Sequence, residues 1–306
     1  MPLPDTASAP VSTAPVGGPV RPPAGGARRR AVGRLVVPAL VVVAVVLAYP
    51  VLMIFIRSVV EVPPGAGPLD NYLWYFSEPT EMVILRRTFV VGLWVTGIAL
   101  AVGFPYAYLM TVVGPRTRLL MLGAVMLPFW SNLVVRTYAW VILLQDTGPV
   151  PAALRALGFG DIRFVGTTLG MTIATTQVLM PFLVLPLFST LSRIDRRLLD
   201  AARSLGARPV TAFVRVYLPL AVPGILAGSM LVFILSLGFY FTPALLGGTG
   251  NSLVSQQIVL QVSRLLNFGR GGAMALVLLA LTLLLLAVAA LATRRSTRAL
   301  GIGETR

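Results

Sequence analysis

"DAARSLGARPVTAFVRVYLP", residues 200–219, lies between two strongly apolar stretches and sets Arg203, Arg208 and Arg215 against a single acid, Asp200. Read with the residues before it, "LSRIDRRLLDAARSLG", the segment places Ile194, Leu198, Ala201, Ala202 and Leu205 at helical spacing. Arg193, Arg196, Arg197, Asp200 and Arg203 take the other faces, so the pattern predicts a short amphipathic helix lying across the ends of the flanking apolar runs. Gly206 supplies its stop, and Pro209 suits the first turn of a second short helix that is expected to end before Pro219. The pair Ala201 and Ala202 leaves a smooth patch where another chain can come close. A docking piece for a partner and a basic helix resting on anionic headgroups both fit this spacing.

The rest of the chain says where such a piece would sit. Of 306 residues, 57% are hydrophobic and 11% charged, against about 25% charged in soluble domains. The composition is that of a membrane protein. All 25 basic residues are Arg, and Lys, His and Cys are absent. Without Lys there is no phosphate-gripping Walker A loop and no Schiff-base or Ser-Lys chemistry. Without His or Cys there is no metal site of the usual zinc or haem kind, no Ser-His-Asp triad and no disulfide. The expectation is a chain that is not an enzyme and holds no metal or cofactor of its own.

Residues 1–33 are rich in Pro, Ala, Gly and Ser and read as a disordered tail. The run 34–57 is too long for a signal-peptide core and reads as a retained first span. Five more stretches reach the length a bilayer requires, about 20 residues: 89–111, 119–144, 167–190, 220–246 and 272–293. An outer loop is expected at 58–88 and a tail at 294–306, with 89–293 as a five-helix core. Segments 1–34, 112–118, 191–219 and 294–306 hold 17 Arg, against 6 in 58–88, 145–166 and 247–271. By the positive-inside rule both termini and the 191–219 loop are cytoplasmic. The fold class expected is therefore all-α integral membrane with six transmembrane helices. Pro38, Pro50, Pro105, Pro128, Pro181, Pro186 and Pro243 fall inside the spans, hinting at bent helices around a cavity.

The spacing Asp200-Ala201-Ala202, three residues, Gly206, nine residues, then Val216-Tyr217-Leu218-Pro219 resembles the "EAA" signature of ATP-binding-cassette importer permeases. It departs only by Asp for Glu at 200 and Val for Ile at 216. "LDNYLWYF" (69–76), "LPFWSNLVVRTYAWVILL" (127–144) and "LPLAVPGILAGSMLVFILSLGFYFTPALLGG" (218–248) extend the likeness to the spermidine/putrescine-type permeases. The resemblance implies a type I importer permease fold in a bacterial inner membrane. It also implies a second permease subunit, two ATPase subunits that hold ATP and Mg, and an extracytoplasmic solute-binding protein. Lipid is the remaining partner, and no nucleic acid is expected. Asp200, Ala201, Ala202, Arg203, Gly206, Leu218 and Pro219 would form the segment that couples to the ATPase. A secondary transporter or channel would leave that spacing a coincidence and would want intramembrane carboxylates.

For the solute path, Ser236, Phe239, Tyr240 and Thr242 gather near Pro243, and Ser131, Asn132, Arg136, Tyr138 and Trp140 lie on another span. Intramembrane polar groups are functional candidates. Arg136, about 25 Å along its span at 1.5 Å per residue, is also placed to snorkel, and Tyr138 and Trp140 suit an interfacial belt. None of the six expected spans contains Asp or Glu. Where the polyamine permeases carry Gly-Glu-Phe and Pro-Asp, this chain has Gly238-Phe239-Tyr240 and Pro243-Ala244. The solute stays open at this point: a polyamine, another small cationic or zwitterionic solute, or an anion. The missing phosphate-binding lysine gives a first prediction: the purified chain alone hydrolyses no ATP, and turnover that survives removal of every other polypeptide would refute it.

Overall fold

The computed structural model of the chain describes residues 25–299, and every regular element among them is helical. The chain divides after Leu52 into two compact units. Helix α1 (Gly25–Val60) gives its first part to the first unit and its last turns, from Met53, to the second. It begins inside the stretch expected to be an unfolded tail, because Ala27, Arg28, Arg29, Arg30 and Ala31 are good helix formers. The remainder of that expected tail, 1–24, lies outside the described residues. From Leu40 onward the first unit is an apolar helix exposed on all its faces, the condition of a helix that belongs in lipid.

After the last turns of α1, the second unit continues with α2 (Asp70–Ser77) and α3 (Pro79–Val112). The expected outer loop 58–88 is therefore largely helical. Pro79 sits in the first turn of α3, where its missing N–H costs nothing, and the helix continues through Arg86 and Arg87 into the apolar run. This extension takes in Glu81, which is buried with Oε2 unpartnered, so a carboxylate does lie on a spanning helix. Burial, reinforced by the Glu81 carboxylate, pushes the Tyr75 phenol on α2 far above its ordinary range and keeps it neutral.

The third expected span, 119–144, is broken. Helices α4 (Pro115–Trp130) and α5 (Leu133–Leu144) meet at a 101° bend. Pro128 removes a backbone donor there, and Ser131 turns both its N–H and its hydroxyl onto the Pro128 carbonyl at 3.3 and 2.7 Å. After α6 (Pro149–Ala156) comes α7 (Thr168–Leu191), the most enclosed helix, packed against both α3 and the later α10. Then follow α8 (Arg197–Ser204), α9 (Pro209–Ala212) and α10 (Leu218–Gly238). The expected fifth span, 220–246, also breaks: Phe239 is extended, and α11 (Phe241–Leu246) restarts beyond it. Helices α12 (Val254–Val259) and α13 (Phe268–Ala299) complete the unit. Among the described residues five helices are long and apolar enough to cross a membrane, or six if the bent α4/α5 pair is one span.

Small residues set the spacing of the α3–α7–α10 core. The α-carbon of Gly228 lies so near α7 that a Cβ would stand 3.0 Å from the Leu183 carbonyl, and one on Gly224 would stand 2.6 Å from Thr190 Cβ. A second tight place joins the end of α1 to the start of α13. Asn71 on α2 donates to the Ser58 and Glu61 carbonyls at 2.9 and 3.0 Å, and a Cβ on Gly269 would overlap that same Glu61 oxygen. Backbone cannot retreat as a side-chain tip can, so Gly269→Ala is expected to destabilise the protein by about 1–3 kcal/mol. Gly97→Ala, which meets nothing within 4 Å, serves as the control and leaves the melting temperature of the detergent-solubilised chain unchanged or slightly raised.

Candidate functional site

Two regions collect the residues singled out by the sequence, at opposite ends of α10. The first is the loop around α8. Asp195 Oδ1 accepts the Arg197 N–H at 2.9 Å and opens the helix, while Arg196 Nη2 donates to Thr111 Oγ1 at 3.1 Å, tying the loop to the end of α3. Leu199 and Ile194 pack on the main core, and Ala202 is half-buried. Leu198, Ala201 and Leu205 point outward, Leu205 being 89% exposed. The single apolar stripe expected from 194 to 205 is thus split. A turn occupies 192–195, so Ile194 lies before the helix and the two turns of α8 start at a different phase.

The loop ends as the glycine requires. Gly206 has φ +88, its N–H reaches the Arg203 carbonyl at 2.9 Å, and the Ala207 N–H reaches that of Ala202 at 3.1 Å. This pair of bonds is a Schellman cap, which an L side chain at position 206 would strain. The second helix does not stop before Pro219. It runs on as one apolar span, Pro209–Gly238, by widening into a π turn at Phe213–Tyr217, where the Leu218 N–H bonds back to Phe213. The wide turn relieves the clash and the missing donor that Pro219 brings to a regular helix. Phe213 and Tyr217 stack on each other at 5.3 Å, and Tyr108 on α3 stands edge-on to both at 5.5 and 5.4 Å, which fixes this turn against α3. Asp200, Ala201, Arg203 and Gly206 share the exposed loop, whereas Leu218 and Pro219 are half-buried in the following helix. Asp200 Oδ1 and Arg203 Nη1 form an exposed ion pair at 3.9 Å, three residues apart on α8.

The second region surrounds the break after α10. Ser236 is buried and donates to the Phe233 carbonyl at 2.7 Å. Thr242 is fully buried, 3.2 Å from Thr137 Oγ1 on α5. Phe239 packs on the core, and its freed carbonyl accepts Ser255 Oγ at 3.0 Å. On the other span, Asn132 Oδ1 accepts the Val134 N–H at 2.8 Å and caps α5, and Arg136 reaches across the bend to the Pro128 carbonyl. Trp140 Nε1 donates to Gln177 at 3.1 Å, while Tyr138 is exposed. Asn132 and Arg136 hold the broken backbone at the α4/α5 bend, and Ser255 holds it after α10. Of the candidates for the solute path, Tyr240 lines an open cavity of about 380 Å³ with Ser252, Gln256, Gln257, Ser263 and Arg264.

The sequence reading passed over those five residues because they fall in an expected loop. Four of them carry a signal: Gln256, Leu260 and Ser263, like Gln257 and Arg264, recur at one-face helical spacing, the first of each set on α12 and Ser263 and Arg264 on a second π turn, Leu260–Arg264.

No protein-family model matches the chain. Among curated proteins, the spermidine/putrescine transport system permease protein PotB of Haemophilus influenzae is 35% identical over 215 residues, covering 69% of this chain and 75% of that protein. PotB of Escherichia coli K12 is 33% identical over 212 residues, covering 69% and 77%. In fold, the chain matches one in the crystal structure of a bacterial alginate ABC transporter in complex with its alginate pentasaccharide-bound periplasmic protein, with TM-score 0.65 and 18% identity, covering 89% of this chain and 96% of that one. Since the chain has no native cysteine, the assignment of side chains is open to direct labelling. Tyr240→Cys is expected to react with a water-soluble maleimide in the folded protein, while Ser236→Cys and Thr242→Cys stay unlabelled until denaturant is added; equal labelling of all three would contradict the burial described.

Proposed function

This chain belongs to the spermidine/putrescine-type permease subunits of ATP-binding-cassette importers and is a multi-pass inner-membrane protein, and we propose that its α8 loop is the surface on which a separate ATPase subunit docks. In this reading the loop and both termini are cytoplasmic, as the arginine distribution indicates. ATP and Mg are held by two ATPase subunits, a second permease subunit completes the pathway, and an extracytoplasmic binding protein delivers the solute. The chain itself carries no catalytic step.

The observation that carries the reading is the split of the α8 stripe. Leu199 and Ile194 anchor the loop from behind, which leaves Leu198, Leu205 and Val210 at 47%, 89% and 73% exposure on a piece clamped by the Arg196–Thr111 bond and the aromatic cluster. Exposed leucines are unremarkable singly, but grouped on a rigid projection they mark a contact surface. Burying one large aliphatic side chain contributes about 1.5–3 kcal/mol. An exposed ion pair made by Arg203 or Asp200 contributes about 0–1 kcal/mol. Shape and apolar contact therefore outweigh charge. The clamping also gives the loop a mechanical role: displacement of α8 by the ATPase is passed to α3 and α10 and not absorbed by a slack tether.

The test is made on the assembled transporter in vesicles, with binding protein and solute saturating. Leu205→Asn is expected to weaken ATPase association about tenfold or more, and Arg203→Gln by less than about fivefold. Gly206→Val, which strains only the cap, should leave the chain inserted and assembled while ATP hydrolysis loses its stimulation by loaded binding protein. Normal uptake in both Leu205→Asn and Gly206→Val, or uptake that needs no ATPase subunit, would overturn the proposal.

A further inference from the structure

The Tyr240 cavity is rich in hydrogen-bond donors and poor in negative charge. Arg264 brings a permanent cation with five N–H groups. Gln256 Oε1 accepts the Leu253 N–H at 2.8 Å, which leaves the Gln256 amide N–H groups to donate. Ser263 and Tyr240 add hydroxyls, and Gln257 is held by its own Nε2 bond to Ser252 Oγ at 3.2 Å. Arg87 does not line the cavity, but from α3 it donates to the Gly250 and Ser252 carbonyls at 2.8 and 3.3 Å, which holds a second guanidinium against the backbone of the lining residue Ser252. No Asp or Glu lines the cavity. Among the described residues the ion pairs are made by Arg57, Arg155, Arg163 and Arg203, so neither Arg87 nor Arg264 is neutralised by a carboxylate.

A polyamine entering this space would meet the uncompensated Arg264 guanidinium with one tyrosine face in return. The attraction of a cation to a ring is weaker than its repulsion from a full charge at similar distance in a partly desolvated site. A carboxylate meets the reverse arrangement: a guanidinium whose fork matches its two oxygens, flanked by amide and hydroxyl donors. We propose that this cavity receives the carboxylate, or a similar oxyanion group, of a small anionic or zwitterionic solute, and that it disfavours polyamines. The cavity is called part of the solute path on the strength of the permease reading; its charge preference is a property of this chain alone.

The missing cysteines make that preference measurable without knowing the solute. In the full chain reconstituted in vesicles of neutral lipid, Ser263→Cys is the sole thiol and is modified with an anionic sulfonatoethyl or a cationic trimethylammonioethyl methanethiosulfonate. Leu205→Cys, at the far end of α10, gives the reference ratio. The anionic-to-cationic rate ratio at position 263 is expected to exceed the reference about tenfold, to fall to near the reference with Arg264→Gln added, and to invert with Arg264→Glu. Succinate or inorganic phosphate at tens of millimolar slows modification, and spermidine does not. A ratio at or below the reference, protection by spermidine, or no protection by either anion overturns the proposal. So does slowing produced by anionic lipid alone, which would make the oxyanion a headgroup and not a solute. Uptake that proves independent of an ATPase subunit would refute the permease reading while leaving the measured ratio untouched, so the two failures are distinguishable.

Discussion

Within a bilayer, every backbone N–H or C=O that leaves a helix must find a partner inside the protein, and the places where this chain can bend follow from that constraint. At the breaks between helices, side chains are positioned to satisfy the freed groups. At the α4/α5 bend, Ser131 and Arg136 take the Pro128 carbonyl and Asn132 takes the Val134 N–H. At the α10/α11 break, Ser255 takes the Phe239 carbonyl. Where α12 begins, Thr88 on α3 takes the Val254 N–H at 3.0 Å and Gln256 takes that of Leu253. Before Pro219 no side chain is used, and the helix solves the problem with its own backbone by widening. Three of the polar residues that look like a solute path in the sequence, Ser131, Asn132 and Arg136, are fastenings of a break.

The α3–α7–α10 core supplies the rigid frame. Gly224 and Gly228 bring α10 onto α7, and buried aliphatic residues such as Leu183, Val184 and Leu187 fill the seam. Small residues at helix interfaces are how membrane helices gain close packing when lipid offers no hydrophobic driving force between them. Because both ends of α10 are joined to this frame, the exposed loop at one end and the polar cavity at the other are connected by packed helix.

The five long spans were legible because an apolar run of membrane length has few alternative readings. The Asp200–Pro219 segment was legible for a different reason: a positive φ at Gly206 and a first-turn Pro209 are local requirements that sequence states directly. The phase of α8 was not, since one turn at Ser192–Asp195 sufficed to rotate the helix and send Leu198 and Leu205 outward. The breaks at Ser131 and Phe239 were hidden because proline alone does not say whether a helix bends or ends, and the answer lay in partners distant in sequence, Ser255 among them. The start of α3 was placed too late because Arg86 and Arg87 mark a change of solvent, not the end of a helix.

The π turn at Phe213–Tyr217 has a consequence in angular terms. A helix advances about 100° and 1.5 Å with each residue, and a π turn accommodates one residue more than the α ladder would allow. The turn therefore fixes the azimuth at which everything before it is presented to everything after it. Removing a single residue from 213–217 would let a regular helix form and swing α8 through about a quarter of a revolution around α10. The leucines that now face away from the protein would be redirected along its surface, with no change in their identity or in any span. The length of this one turn is in that sense a dial setting, and the chain's sequence fixes it with Pro219 on one side and the rings of Phe213 and Tyr217 on the other.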